Sequence, residues 1–433
     1  MSPPVGSPPA LSAAAQLGER LFHDTALSAS GQQSCATCHV EQFGFAEDPT
    51  DTGPDHGLPV ALGGPDMNLP GFRNTPSLGY LSFSPSFRFD AGGNPVGGFF
   101  RDGRAATLAD QAIGPFLNAI EMANADAAAV IERLKSRPYF ADFVALYGND
   151  VPADPATALA RIGQAIAAYE TEDPDFHPFT SKFDNWLAGR AQMTAQELRG
   201  LALFNSPTKG NCAACHPSTS ADGVTPALFT DFSYDNLGVP RNPAIPANSS
   251  AAPAYTPVNS CDGVERYYDL GICGPFRDNA GRNVTSLCGR FKVPTLRNVA
   301  LTAPYFHNGR FATLKDAVGF YVRRDTNPEQ WYPKTADGPV IKFDDLPATY
   351  GGQFVVQPGV PGSDAGYAGN VNTSEIPYNR RIGDAPALDA GEIDDVITFL
   401  CTLTDGFDPA DPTAQLLPAQ CQAAIRTTAA GGG

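Results

Sequence analysis

Residues 35–39 read Cys-Ala-Thr-Cys-His and residues 212–216 read Cys-Ala-Ala-Cys-His. With nine cysteines and six histidines in 433 residues, one chance C-x-x-C-H is expected in only about 0.3% of such chains, so a pair is not accidental. The spacing has a chemical reason. Two thioethers fix the vinyl groups of a haem, and the adjacent histidine reaches the iron from the same face. A redox dithiol or a zinc site needs no trailing histidine. Cys35, Cys38 and His39 thus define one covalent c-type haem (haem 1), and Cys212, Cys215 and His216 define a second (haem 2). Such haems are attached outside the cytoplasm, where other cysteines are free to pair. The expected location is the periplasm, and the opening MSPPVGSPPALSAAA, which has no charged-then-apolar signal, reads as a mature N-terminus.

The remaining composition narrows the partners. A formal net charge of −17 repels nucleic acid and anionic membrane surfaces. No run of eighteen apolar residues occurs, so no membrane span is expected. The 43 glycines and 40 prolines point to long ordered loops.

The chain also repeats itself. FRDGRAATLADQAIGP (100–115) and FHNGRFATLKDAVGFY (306–321) align without a gap and share seven of sixteen positions. Upstream of each haem motif lies an amphipathic segment ending in Leu-Phe (14–22 and 194–204), and downstream comes PSL or PTL. The expected fold is mainly α: two cytochrome c-like helical domains related by internal duplication, with long loops. The domains are placed at 10–165 and 194–405, with a connector at 166–193. A loop insertion at 240–290 carries Cys261, Cys273 and Cys288, and a tail at 406–433 is expected to be disordered. Helices are expected near 107–113, 126–136, 139–147, 155–171, 194–204, 313–323 and 389–403, with no strong strand pattern.

In both copies a threonine and an aspartate three residues on, Thr107 with Asp110 and Thr313 with Asp316, form a shortened capping box that sets the helix register. In the second copy Leu314, Ala317, Val318 and Tyr321 then share one face, and Tyr321 points inward. The first copy presents Leu108, Gln111, Ala112 and Pro115 there. A haem iron held by one histidine has a second axial position that is either ligated or open. If the repeat aims both helices at an iron, haem 2 meets a phenol and haem 1 meets a proline with no ligand atom. The alternative for Tyr321 is a core aromatic whose hydroxyl finds a carbonyl.

These motifs, together with RNTPS, DGRAATLADQAIGPFLNAIEM and FKVPTLRNVALTAPYFHNGRFATLKDAVGFYVRRDTNPEQWYP, resemble the bacterial dihaem cytochrome c peroxidases, in particular their MauG-like and MbnH-like branch. The resemblance covers most of the chain. It implies a peroxide site at haem 1, with Gln111 and Glu121 on its distal side: the carboxylate to move a proton between peroxide oxygens, the amide to hold a water or the peroxide. It implies Tyr321 as the second ligand of haem 2, where methionine-ligated members accept electrons from a small cytochrome. A phenolate stabilises high-valent iron, which suits storage of an oxidising equivalent. The family's blocking histidine aligns with Gly64, with His56 and Met67 as nearby substitutes, and haem 1 is expected to be open in the ferric protein. A calcium ion is implied at Asn74, Thr302 and Pro304, since oxygen-only ligands suit it. Arg101 stands where the family usually carries a tryptophan between the haems; it cannot be oxidised, and a haem propionate is its expected partner. His307, the repeat-mate of Arg101, is expected to be structural. Trp186 and Trp331 are expected in the core, with an exit path for oxidising equivalents as the alternative. Cys273 is expected to pair with Cys288 and Cys401 with Cys421.

Three functions compete on this reading. The first is a hydrogen peroxide-dependent enzyme that oxidises a side chain, such as tryptophan, of a partner protein. The second is an ordinary cytochrome c peroxidase, fed by a small cytochrome or cupredoxin. The third is a non-enzymatic dihaem electron carrier, which would have no need of Gln111 and Glu121.

Overall fold

The computed structural model describes residues 10–49, 57–257, 266–413, 415 and 417–429. The fold is carried by helices α1 (Ala13–His23), α2 (Cys35–Cys38), α3 (Leu108–Leu117), α4 (Ala127–Lys135), α5 (Phe140–Tyr147), α6 (Pro155–Glu172), α7 (Lys182–Leu187), α8 (Ala195–Asn205), α9 (Leu314–Arg323), α10 (Ala390–Cys401) and α11 (Ala419–Ala429). Every helix expected from the sequence is present. Strands are confined to four two-stranded antiparallel ribbons: β1 (Leu62–Gly63) with β2 (Leu69–Pro70), β3 (Arg88–Phe89) with β4 (Pro95–Val96), β5 (Tyr234–Asp235) with β6 (Phe291–Lys292), and β7 (Val340–Lys342) with β8 (Phe354–Val356).

The same helix crossing occurs in both halves. α1 crosses α6 at Gly18, where a Cβ would press into the carbonyl oxygen of Ala165; α8 crosses α10 at Gly200, where a Cβ would press into that of Asp395. Only glycine lets the two backbones approach so closely. Around the first crossing Leu17, Leu21, Phe22, Ile162, Ile166 and Phe176 form one core. Around the second, Phe204, Phe229, Phe320, Ile397 and Phe399 belong to another. The caps match too: Thr107 Oγ1 accepts from Asp110 N at 3.1 Å, and Thr313 Oγ1 accepts from Asp316 N at 3.1 Å.

The halves are tied along their seam. Arg73 bonds Asp102 (2.8 Å) in its own half and Asp269 (2.6 Å) in the other, while Asn74 N donates to His307 O at 2.9 Å. Lys292 N donates to Arg101 O at 2.9 Å, and the Tyr80 hydroxyl donates to Asp405 at 2.7 Å. The insertion at 240–290 thus takes part in the seam through its described residue Asp269. Its Cys273 pairs with Cys288, and Cys401 pairs with Cys421. Cys261 and His56 lie outside the described residues.

The tail departs from expectation, because α11 is ordered within it. Its weak apolar pattern hides three pins. Besides the Cys401–Cys421 bridge, Gln420 Nε2 donates to Ala300 O (2.7 Å) and to the Tyr305 hydroxyl (2.8 Å), and Gln420 Oε1 accepts from Leu314 N (2.8 Å). Tertiary contacts of this kind override low local propensity. No helix among the described residues is long and apolar enough to cross a membrane.

Candidate functional site

Both motif histidines are held the same way. His39 Nδ1 faces Phe45 O at 3.0 Å and His216 Nδ1 faces Phe229 O at 2.8 Å. A carbonyl can only accept, so Nδ1 carries the proton and Nε2 keeps its lone pair for a metal. Phe45 (φ 58°) and Phe229 (φ 52°) both adopt the left-handed conformation. Burial pushes His39 down to about 4 and His216 below its ordinary value, so both rings are neutral, the form that ligates iron. Cys35, Cys38, Cys212 and Cys215 are all outside the disulfides.

A large cavity opens beside the second motif. It is lined by Cys212, Cys215, His216, Phe306, Tyr321 and Tyr378, among others. α9 delivers Tyr321 to this cavity because its cap fixes the register and Leu314, Ala317 and Phe320 anchor it in the core. Burial pushes the Tyr321 phenol well up, and the neighbouring Cys215 and Cys212 add to the effect. Its hydroxyl has no hydrogen-bond partner among the described residues, whereas three core tyrosines bond carbonyls: Tyr305 at Val299 O (3.0 Å), Tyr332 at Gly238 O (2.6 Å) and Tyr234 at Gly97 O (2.6 Å). Tyr267, in the core, also leaves its hydroxyl unpartnered, so what sets Tyr321 apart is its place: half-buried against the second core, on the cavity beside the Cys212–His216 motif.

In the first half, Pro115 lies inside α3, at the position matching Tyr321. Gln111 is buried on the same helix and lines the large cavity with Phe100, Arg101 and Asn74. Glu121, on the turn after α3, lines a second cavity with Phe100, Arg104, Asp110, Gly114 and Asn118. The structure therefore sets Gln111 and Glu121 on two cavities that share Phe100. Burial raises the Glu121 carboxyl above its ordinary value, opposed by Arg104 and by a hydrogen bond with Asn118. Glu121 is also close enough to act on the buried Cys35 thiol. Gly64 N donates to Glu121 O at 2.8 Å, and a Cβ at neighbouring Gly63 would strike Ile120 O. The 62–64 loop is thus pressed onto the Glu121 turn by backbone alone. No histidine or methionine lines this second cavity among the described residues, and half-buried Met67 is not on it.

The family model for dihaem cytochrome c peroxidases matches residues 12–192. The methylamine utilization protein MauG of Paracoccus denitrificans is 36% identical over 398 residues, 92% of this chain and 90% of its own length. This chain belongs to the MauG-like dihaem cytochrome c peroxidases. Among solved structures, the dihaem peroxidase BthA of Burkholderia thailandensis is 36% identical, with a TM-score of 0.78 over 96% of this chain and 90% of its own. The E. coli cytochrome c peroxidase Ccp is 31% identical over 72% of this chain and 54% of its own length. The cytochrome c551 peroxidase of Nitrosomonas europaea is 32% identical over 73% of this chain and 74% of its own length.

Membership makes the protein a dihaem oxidoreductase of the peroxidase class, with two c-type haems. The residues fit them: two thiol pairs, two neutral histidines each held through Nδ1 by a backbone carbonyl, and a cavity beside the second pair that His216 lines. The calcium expected from the dihaem peroxidases fits less well. Asn74, Thr302 and Pro304 do line one cavity. However, Asn74 Oδ1 already accepts from Arg101 Nη2 at 2.6 Å, and Asn74 O accepts from Arg101 Nε at 3.0 Å. Arg101 is thus spent on an asparagine and has no carboxylate partner. His307 stacks on Phe291 with ring centroids 3.7 Å apart, as a structural residue would. Trp331 packs on Phe311 and Phe320, and Trp186 on Phe183, so both tryptophans border the second core.

Two cavity residues were not found from the sequence. Tyr378 places a second phenol in the cavity, its ring 6.1 Å from that of Tyr321. It lies outside the repeat, so no pattern marks it. Lys292 Nζ donates to Gly98 O (2.7 Å) and Ser84 Oγ (3.0 Å) with no carboxylate, and burial pushes its pKa down to about 7. It sits within FKVPTL, but nothing in that string says the lysine turns inward.

Proposed function

We propose that this protein uses hydrogen peroxide to oxidise a side chain of a partner protein. In this reading Cys35, Cys38 and His39 would hold haem 1, with Pro115 offering it no ligand, and Cys212, Cys215 and His216 would hold haem 2, with Tyr321 as its second ligand. When bound, the haems supply the redox centres through which two electrons pass. Hydrogen peroxide takes up those two electrons and two protons, its O–O bond breaks, and two waters leave. The partner side chain, with tryptophan the leading candidate, loses the two electrons.

The chain's own residues manage protons and access. Gln111 offers an amide to hold water or peroxide. The Glu121 carboxylate takes a proton from one peroxide oxygen and returns it to the other, which leaves as water. A pKa raised by burial brings this carboxyl nearer to neutral pH, where proton transfer in both directions is most effective. Pro115 offers no ligand atom, and the Gly63–Gly64 backbone leaves no side chain over the Glu121 turn. The haem motifs and two disulfides fit a periplasmic setting.

The observation that carries this reading is Tyr321: a half-buried phenol on the cavity beside the Cys212–His216 motif, without a hydrogen-bond partner among the described residues, on a helix whose repeat-mate has proline at the matching position. The test is peroxide added to the diferric holoprotein without pre-reduction, followed optically. A prompt, long-lived spectral change is expected, whereas no reaction until one haem is reduced would refute it. An ordinary cytochrome c peroxidase is the second reading, favoured by the 31–32% identity to the E. coli and N. europaea enzymes. Fast peroxide-dependent oxidation of a reduced small cytochrome would select it.

A further inference from the structure

We propose that the guanidinium of Arg101 takes the place of a divalent cation at Asn74, so that the protein carries an internal cation there and binds no calcium. This holds for either reading of the function.

Three observations converge on it. First, Arg101 grips Asn74 with both arms of its fork: Nη2 on the side-chain oxygen at 2.6 Å and Nε on the backbone oxygen at 3.0 Å. Asn74 is itself 4% exposed, and its backbone is pinned through its N–H to His307 O. Second, the carbonyl oxygens of Thr302 and Pro304 line the same cavity and accept no hydrogen bond among the described residues. They are the acceptors a cation would use. Arg101 spends two of its five N–H groups on Asn74 and keeps three for such oxygens, directly or through water.

Third, the charges leave no room for a metal. Calcium takes six to eight oxygens, from carboxylates, carbonyls or water. The carboxylates of the Arg73 cluster are already committed, Asp102 to Arg73 and Arg104, and Asp269 to Arg73. Arg101 has no carboxylate ion-pair partner among the described residues; Arg73 repels it and Asp269 attracts it. A divalent ion here would add two positive charges beside the Arg101 guanidinium, with the Asp102 and Asp269 carboxylates already paired. A lysine could not replace the arginine, because a single ammonium cannot span both Asn74 oxygens as a planar fork does.

The test uses the full dihaem holoprotein. After dialysis against EGTA, metal content, Tm and the optical spectra of both haems are measured with and without added calcium. The wild type is expected to hold substoichiometric calcium and to show no shift in Tm or spectrum in either condition. Arg101→Gln is expected to acquire an upward Tm shift and a haem spectral change on calcium addition, with Arg101→Trp, the residue the family usually carries, as the second variant. One calcium per wild-type chain, stripped by EGTA with a fall in Tm, would overturn the proposal. Indifference of both variants to calcium would overturn it equally, since the oxygens would then form no cation site.

Discussion

Tyr321 and Tyr378 bring two phenols to one cavity wall, and neither hydroxyl has a hydrogen-bond partner among the described residues. The repeat separates them, because only Tyr321 stands at a position matched in the other half. Tyr321→Phe is expected to abolish the low-spin ferric signal of one haem in electron paramagnetic resonance, while Tyr378→Phe shifts it only slightly. The reverse pattern would make Tyr378 the ligand. Glu121 has a second signature. Its folded pKa lies above the ordinary 4.5, with burial as the main cause. The ionised form therefore appears only as pH rises through that higher value, and the peroxide rate should rise over the same range, a dependence that Glu121→Gln flattens. The linkage has the opposite sign for stability: the folded protein binds the proton more tightly, so this group withdraws stability as pH rises through its folded pKa. Glu121→Gln should accordingly melt no lower than wild type at pH 7. At this scale the haem anchors were legible, because covalent attachment demands neighbours in sequence. The clamp of Arg101 on Asn74 was not, because it joins residues 27 positions apart through rotamers that no string encodes.

The helices show how one cap can serve two ends. Thr107 and Thr313 fix the same register, and what differs is the eighth residue of each helix, Pro115 against Tyr321. Pro115 also lacks the N–H that would close a bond to the carbonyl of Gln111. Pro115→Tyr restores that donor and brings a phenol to the matching place. The expected result is loss of the high-spin ferric signal and a peroxide rate lower by roughly tenfold or more, measured by resonance and stopped-flow. Helix existence was legible throughout, since caps and apolar faces are local. α11 was missed because its order comes from elsewhere in the molecule. A Cys401→Ser/Cys421→Ser double variant opens a loop of sequence separation 20 and should cost about 3 kcal/mol by chain entropy, read as a lower Tm of the holoprotein.

For the molecule as a whole, the repeat was legible in the sequence but the contacts across the seam were not. Residues 240–290 read as a loop insertion rich in proline, asparagine and serine, and nothing in that reading showed that Asp269 completes the bridge through Arg73 to Asp102. Long-range pairs of this sort depend on topology, which local pattern does not carry. A net charge of −17 adds a property of the entire surface: attraction to a basic partner should weaken steeply as salt is raised.

The seam has a consequence for kinetics. The Arg73 bridge, the Asn74–His307 and Lys292–Arg101 backbone bonds and the Tyr80–Asp405 bond all cross it and hold the halves against each other. Electron exchange between haems held by the two motifs is then expected at a fixed separation. Its rate should be the same in glycerol as in water, whereas a protein that had to swing its halves together would slow in proportion to solvent viscosity.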